Sequence, residues 1–199
     1  YLLTLRLKHA TKSYTIPLCN IMKMRKAIIL FLTILTFSCQ TELDKNIHAF
    51  QNILGENKIN AINSLVTDFE NNLKKNYPKL SVDKAYEKYL TEIISDSTTD
   101  FEKFKFQTSN TKSELTKSGL WNEIYFKDDN NGLIINETGQ YMRGLNYVAK
   151  SDMFVKKYYD KRQAAGMMSN KLVVNGILNS NPDFNNYFHK RIVVLEFTF

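Results

Sequence analysis
The residues that could do chemistry are few and scattered. Past residue 39 the chain has only two histidines, His48 and His189, one near each end of that stretch. Neither has a second His or a Cys at ligand spacing, so a zinc site would have to draw carboxylates from elsewhere. Both read as surface or helix-end histidines. Residues 128–132 bring two carboxylates and a glycine together, as a Ca²⁺ loop would. With Gly132 at the sixth place, however, the first ligand is Lys127 and the twelfth is Thr138. An EF-hand needs an oxygen ligand at the first place and a bidentate carboxylate at the twelfth. The stretch reads as a plain turn, and neither a metal nor a cofactor is expected. The chain has no G-x-S-x-G, no P-loop and no G-x-G-x-x-G. Triads are assembled in space rather than in sequence, so an enzyme reading stays open. Its residues would come from Glu123, Asp128, Asp129 and His189.

Charge gives one further candidate. Lys150, Lys156, Lys157, Lys161 and Arg162 stand around Tyr158 and Tyr159. Basic and aromatic residues together can bind single-stranded nucleic acid. A helix with its lysines in water and its tyrosines in the core explains the stretch equally well, and anionic lipid heads are a third partner. His189-Lys190-Arg191 could hold an anion or stand as solvated charge. The net charge of +7 is misleading in this respect. Six of the 27 basic residues and none of the 20 acidic ones fall in residues 1–38, so the rest is close to neutral. Nucleic acid is therefore not expected as a partner.

The elements that would position these residues are mainly helical. Asp44 can cap a first helix with Ile47, Phe50, Ile53 and Leu54 on one face and Gly55 as its stop. Ile59, Ile62, Leu65, Val66, Phe69 and Leu73 then recur at three- and four-residue steps, ending before Pro78. Ser81 opens a third helix with Val82, Ala85, Tyr86, Tyr89, Ile93 and Ile94 inward. Thr99 and Glu102 have capping-box spacing for a fourth carrying Phe101 and Phe104, although Phe104–Phe106 also reads as a strand. Residues 109–118 predict a polar helix with Leu115 as its main apolar contact. Residues 121–136 form a short β-hairpin or an irregular loop pinned by Trp121. Helices resume at Gln140, at Met153 (with Met153, Phe154 and Tyr158 inward) and at Met167 (with Leu172, Val173, Ile177 and Leu178). Asn181-Pro182 is a start signal for a last helix, and the tail 192–199 is either its end or an extended segment. The expectation is one mainly α domain of six to eight helices over residues 44–199. Size alone allows it to bury roughly 70% of its unfolded surface without disulfides.

Residues 22–39, MKMRKAIILFLTILTFSC, set the location. Lys23, Arg25 and Lys26 precede the apolar run 27–37, which is too short for a spanning helix of about 20 residues but has the length of a secretory h-region. Ser38 and Cys39 follow. The segment resembles a bacterial lipoprotein signal peptide, and Thr36-Phe37-Ser38-Cys39 resembles the looser lipoboxes of Bacteroidota lipoproteins. An uncleaved anchor and a buried cytosolic helix are the alternatives. The resemblance implies a diacylglyceryl group on Cys39, a mature chain beginning there, and a short tether at 39–43. Residues 1–21 then read as an upstream extension ahead of a start at Met22 or Met24. Asp96-Ser97-Thr98 is similar to the short O-glycosylation sequon of exported Bacteroidota proteins, with Ser97 as the acceptor. The chain is thus expected in the cell envelope, lipid-anchored to the outer membrane. Its expected role is that of a non-catalytic module binding a protein or another envelope component. A small envelope enzyme or accessory subunit is one alternative, and a lipid- or glycan-contacting module is another.

Overall fold
Ile59, Ile62, Leu65, Val66, Phe69 and Leu73 are all buried along one side of α2 (Glu56–Asn76) in the computed structural model, which describes residues 42–95 and 101–198. Helix α1 covers residues 42–54, so it is already under way before Asp44. Gly55, at φ 83°, turns the chain into α2 through a backbone conformation that other residues rarely adopt. α3 is Val82–Ile93, and a single 3₁₀ turn, Phe101–Phe104, follows. The fourth helix expected from Thr99 is therefore only this turn, and Thr99 itself lies outside the described residues. Phe104 and Phe106 are both buried, but the residues after the turn are irregular, so the strand reading of 104–106 fails as well.

α4 (Ser109–Ser118) starts where the Thr108 hydroxyl accepts from the Thr111 amide at 3.2 Å. The Thr108 amide in turn donates to Asp68 on α2 at 2.8 Å. Thr111, rather than Leu115, is the buried residue of this helix. Trp121 falls in a short helix, α5 (Leu120–Ile124), which runs directly into β1 (Tyr125–Lys127). β1 pairs antiparallel with β2 (Leu133–Ile135), Phe126 opposite Ile134. Then come α6 (Gln140–Val148), α7 (Met153–Ala165), α8 (Asn170–Leu178) and α9 (Tyr187–Glu196). The domain is mainly α with one small hairpin.

The last three helices differ from expectation in instructive ways. α8 begins at Asn170, after Met167 and Met168. Asn181 adopts a left-handed φ of 52° and Pro182 lies in irregular backbone. α9 starts later, where the Asn186 side chain accepts from the Phe188 amide at 2.8 Å. The β-branched tail is helical through Glu196, because Ile192, Val193, Val194 and Leu195 are all buried. Val82, Met153 and Leu172, expected inward, are exposed.

α2 packs against α3, α4 and α9, while α7 packs against α6, α8 and α9. Phe69 is the centre of an aromatic cluster, with ring centroids 4.7 Å from Tyr89 and 5.0 Å from both Tyr86 and Phe106. Tyr86 stacks on Phe184 at 4.7 Å. Such pairs contribute about 0.5–1.5 kcal/mol each beyond the area they bury. The Tyr89 hydroxyl has no hydrogen-bond partner among the described residues, and burial pushes its pKa well above the ordinary value.

A buried ion pair joins α7 to α9. Arg162 is 2% exposed. Its Nε donates to Glu196 at 2.9 Å, a second guanidinium nitrogen binds the other carboxylate oxygen, and a third donates to the Gly166 carbonyl at 3.0 Å. The Tyr158 hydroxyl donates to the same carboxylate. Removing one member of such a pair leaves the other charge buried and unpaired. Arg162→Met is expected to cost about 3–5 kcal/mol in urea unfolding, and Arg162→Met/Glu196→Leu to recover most of it. Additive losses in the double variant would rule out this coupling.

Candidate functional site
His189 is the side chain most able to do acid–base chemistry, and it is buried at 7% exposure rather than lying on the surface. It does sit at a helix end, in the first turn of α9, where its own amide lies 3.4 Å from the Asn186 cap. Nε2 meets the Asp152 carboxylate at 3.1 and 3.2 Å. Asp152 is also the N-cap of α7 and accepts from the Phe154 and Val155 amides at 3.0 Å each. On the other side of the ring, Nδ1 lies 2.9 Å from the Asp183 amide, which can only donate. These partners assign the neutral Nε2–H tautomer, with Nδ1 accepting. The ring also lies over Phe154 at 4.1 Å. A catalytic histidine keeps one nitrogen for the reacting group and the other for its orienting carboxylate. Here both nitrogens are bound within the fold, and the pair joins the start of α7 to the start of α9.

The neighbouring cations are held as well. Lys190 pairs with Glu70 at 3.0 Å. Arg191 donates to the Tyr187 carbonyl at 3.0 Å and to Asn63 at 2.6 Å, and its guanidinium lies 3.4 Å from the centroid of the Tyr187 ring. Burial lowers the Arg191 pKa. His189-Lys190-Arg191 therefore forms no free anion site.

The candidate carboxylates separate into structural roles. Glu123 accepts from the Gln140 amide at 2.7 Å, capping α6, and pairs with Lys58 at 3.3 Å. The chain approaches so closely there that a Cβ on Gly139 would lie 2.1 Å from the Glu123 carbonyl oxygen, so only glycine fits. Asp128 closes the hairpin: one carboxylate oxygen accepts from Asn130 at 3.0 Å and Gly132 at 2.6 Å. Asn131 takes the left-handed position of that turn. Asp129 is exposed, and so is His48. Among the described residues no three His, Cys, Asp or Glu side chains gather where they could hold a metal.

The basic stretch divides. Lys150, Lys156, Lys157 and Lys161 are exposed, with Lys156 paired to Asp160 at 2.5 Å. Arg162 faces the core instead and pairs with Glu196. Burial opposes its charge, but Tyr158 and Glu196 beside it outweigh that and raise its pKa. A signal for this lay in the spacing: Arg162 falls one turn beyond Tyr158 and two beyond Phe154, on the apolar face of α7. Cys39 and Ser97 lie outside the described residues. Among the described residues no helix is long and apolar enough to cross a membrane. The chain matches no protein-family model, no curated protein and no solved structure.

Asp152 gives a pH test. Burial would raise its pKa, but the His189 contact and the Val155 and Phe154 amides hold it below the usual carboxylate value. A depressed folded-state pKa contributes stability that is complete above the unfolded value, about 3.9, and fades as pH falls through the lower folded value. Asp152→Asn keeps a capping oxygen and loses the charge. The stability gap between the two proteins, read from urea midpoints, is expected to be constant above about pH 5 and to narrow below about pH 4. A gap that does not change with pH would remove the charge from the account.

Proposed function
We propose that the chain is a non-catalytic binding module of the bacterial cell envelope, held to a membrane by a lipid on Cys39. The observation that carries the non-catalytic part is the engagement of His189, whose two ring nitrogens bind Asp152 and the Asp183 amide. Glu123 and Asp128 are likewise engaged in capping and turn closure. Of the four candidates Glu123, Asp128, Asp129 and His189, Asp129 alone is left exposed outside such a contact. The anchoring part is supported by the order of cationic, apolar and small residues before Cys39.

Binding modules present apolar groups to solvent, and this one does so on the hairpin. Phe126 and Ile134, opposite each other across the two strands, are 44% and 36% exposed, and Leu133 is exposed beside them. An exposed apolar pair of this kind suits an envelope protein partner.

The anchor is tested on protein purified from native membranes, by mass spectrometry of its N-terminal peptide. A peptide beginning at Cys39 and carrying a diacylglyceryl adduct is expected, together with loss of membrane association in Cys39→Ser. A peptide that begins at Met22 or earlier and carries no lipid would overturn the proposal.

A further inference from the structure
Cys39 stands three residues before α1, so the chain between them spans at most about 11 Å even when fully extended. The start of α1 is fixed in turn. Asn46 is buried, and its side-chain amide donates to the Ser151 hydroxyl at 2.8 Å, in the turn between α6 and α7. Further along, α1 lies against Gly144 so closely that a Cβ there would meet Phe50 at 2.7 Å and Leu54 at 3.1 Å. With Asn46 beside Ser151 and Phe50 beside Gly144, α1 runs antiparallel to α6. A lipid on Cys39 therefore holds the α6–α7 turn near the membrane. The other end of the 13-residue α7 is about 20 Å away from that turn.

The exposed side chains at that turn suit a lipid–water boundary. Tyr147, in the last turn of α6, is 41% exposed, and Met153, the first residue of α7, is 66% exposed. Lys150 stands between them in the chain, its ammonium 5.5 Å from the centroid of the Tyr147 ring. Tyrosine and lysine each have an apolar body and a polar tip, so both can lie at headgroup depth with the tip in water. Methionine is flexible enough to fit among lipid chains whose positions shift. Net charge adds little, because exposed Lys45, Lys150 and Lys157 are nearly offset by exposed Glu42 and Asp44 at the start of α1. A polybasic segment would hold anionic lipid by charge alone. Here the short tether and the amphipathic side chains select a membrane surface as the occupant.

We infer that Tyr147, Lys150 and Met153 of the α6–α7 turn rest on the phospholipid surface that anchors Cys39. Met153 enters among the upper acyl carbons, and Lys150 meets the lipid phosphates. The inference rests on the anchor proposed above and names the face of the domain that meets the lipid.

The test uses protein purified from the membranes of cells fed methyl-¹³C-methionine and reconstituted in phosphatidylethanolamine–phosphatidylglycerol nanodiscs. A fraction of the lipid carries a gadolinium chelate on its headgroup, so the broadening of each methionine methyl signal reports its distance from the lipid surface. Met153 is expected to broaden at least tenfold more than Met167 and Met168, which lie beyond the other end of α7. Met153→Leu identifies the Met153 signal. Tyr147→Ser/Lys150→Glu changes two exposed residues and is expected to reduce the Met153 broadening at least threefold, while the lipid keeps the protein on the discs. Met167 or Met168 broadened as much as Met153 overturns the inference. So does full Met153 broadening in the double variant, which would leave a tether without a contact. Mass spectrometry of the same sample reads the lipid at Cys39 separately. Its absence overturns the anchor and the face with it, whereas the wrong methionine broadened on lipidated protein overturns the face alone.

Discussion
The fold depends on a bidentate ion pair removed from water. Arg162 and Glu196 are almost fully buried, and neither charge is tolerable there without the other. Both must arrive together, so α7 and α9 have to be formed and in register before either charge is compensated. The Asp152–His189 contact repeats this requirement at the opposite end. Asp152 precedes α7 and His189 is in the first turn of α9, whereas Arg162 and Glu196 are near the two C-termini. Joining start to start and end to end makes α7 and α9 run parallel. Apolar packing alone does not specify this, because burial is non-directional. Two polar contacts of fixed geometry do.

The helices themselves were legible because they follow apolar periodicity. α2 is the clearest case, with six predicted inward residues all buried. Harder to read were the positions where a polar residue occupies an apolar place in the pattern, as Arg162 does in line with Phe154 and Tyr158. Residue type marks Arg162 as a surface cation and His189 as a helix-end histidine. Their burial is decided by Glu196 and Asp152, which are far away in sequence and become neighbours only once the helices pack. Start signals failed for a similar reason. Asn181-Pro182 carries the chemistry of a helix start, but the chain turns there through a left-handed Asn181 so that the Asp183 amide can reach His189. The cap lies at Asn186 instead, with the Asp183 amide against His189.

The candidate carboxylates show how much of a site can be read without the fold and how much cannot. Asp128 was legible as a turn residue, since a carboxylate two and four residues before free amides closes a turn locally. Glu123 was not. Its partners Lys58 and Gln140 come from α2 and α6, and the approach of Gly139 that brings them together is a property of the packed chain. Asp128 is held by backbone amides and Glu123 by one amide and the half-buried Lys58.

The parallel run of α7 and α9 also accounts for the place of α8. A chain leaving the C-terminal end of one parallel helix must return to the N-terminal end of the other, and α8 with its flanking turns makes that return. Its own buried residues are few, Val173, Val174 and Ile177, and it meets α7 and α3 on only part of its surface. The two polar contacts that fix α7 against α9 are thus the physical reason that a returning segment is needed, and Val173, Val174 and Ile177 are the residues by which α8 is held in that place.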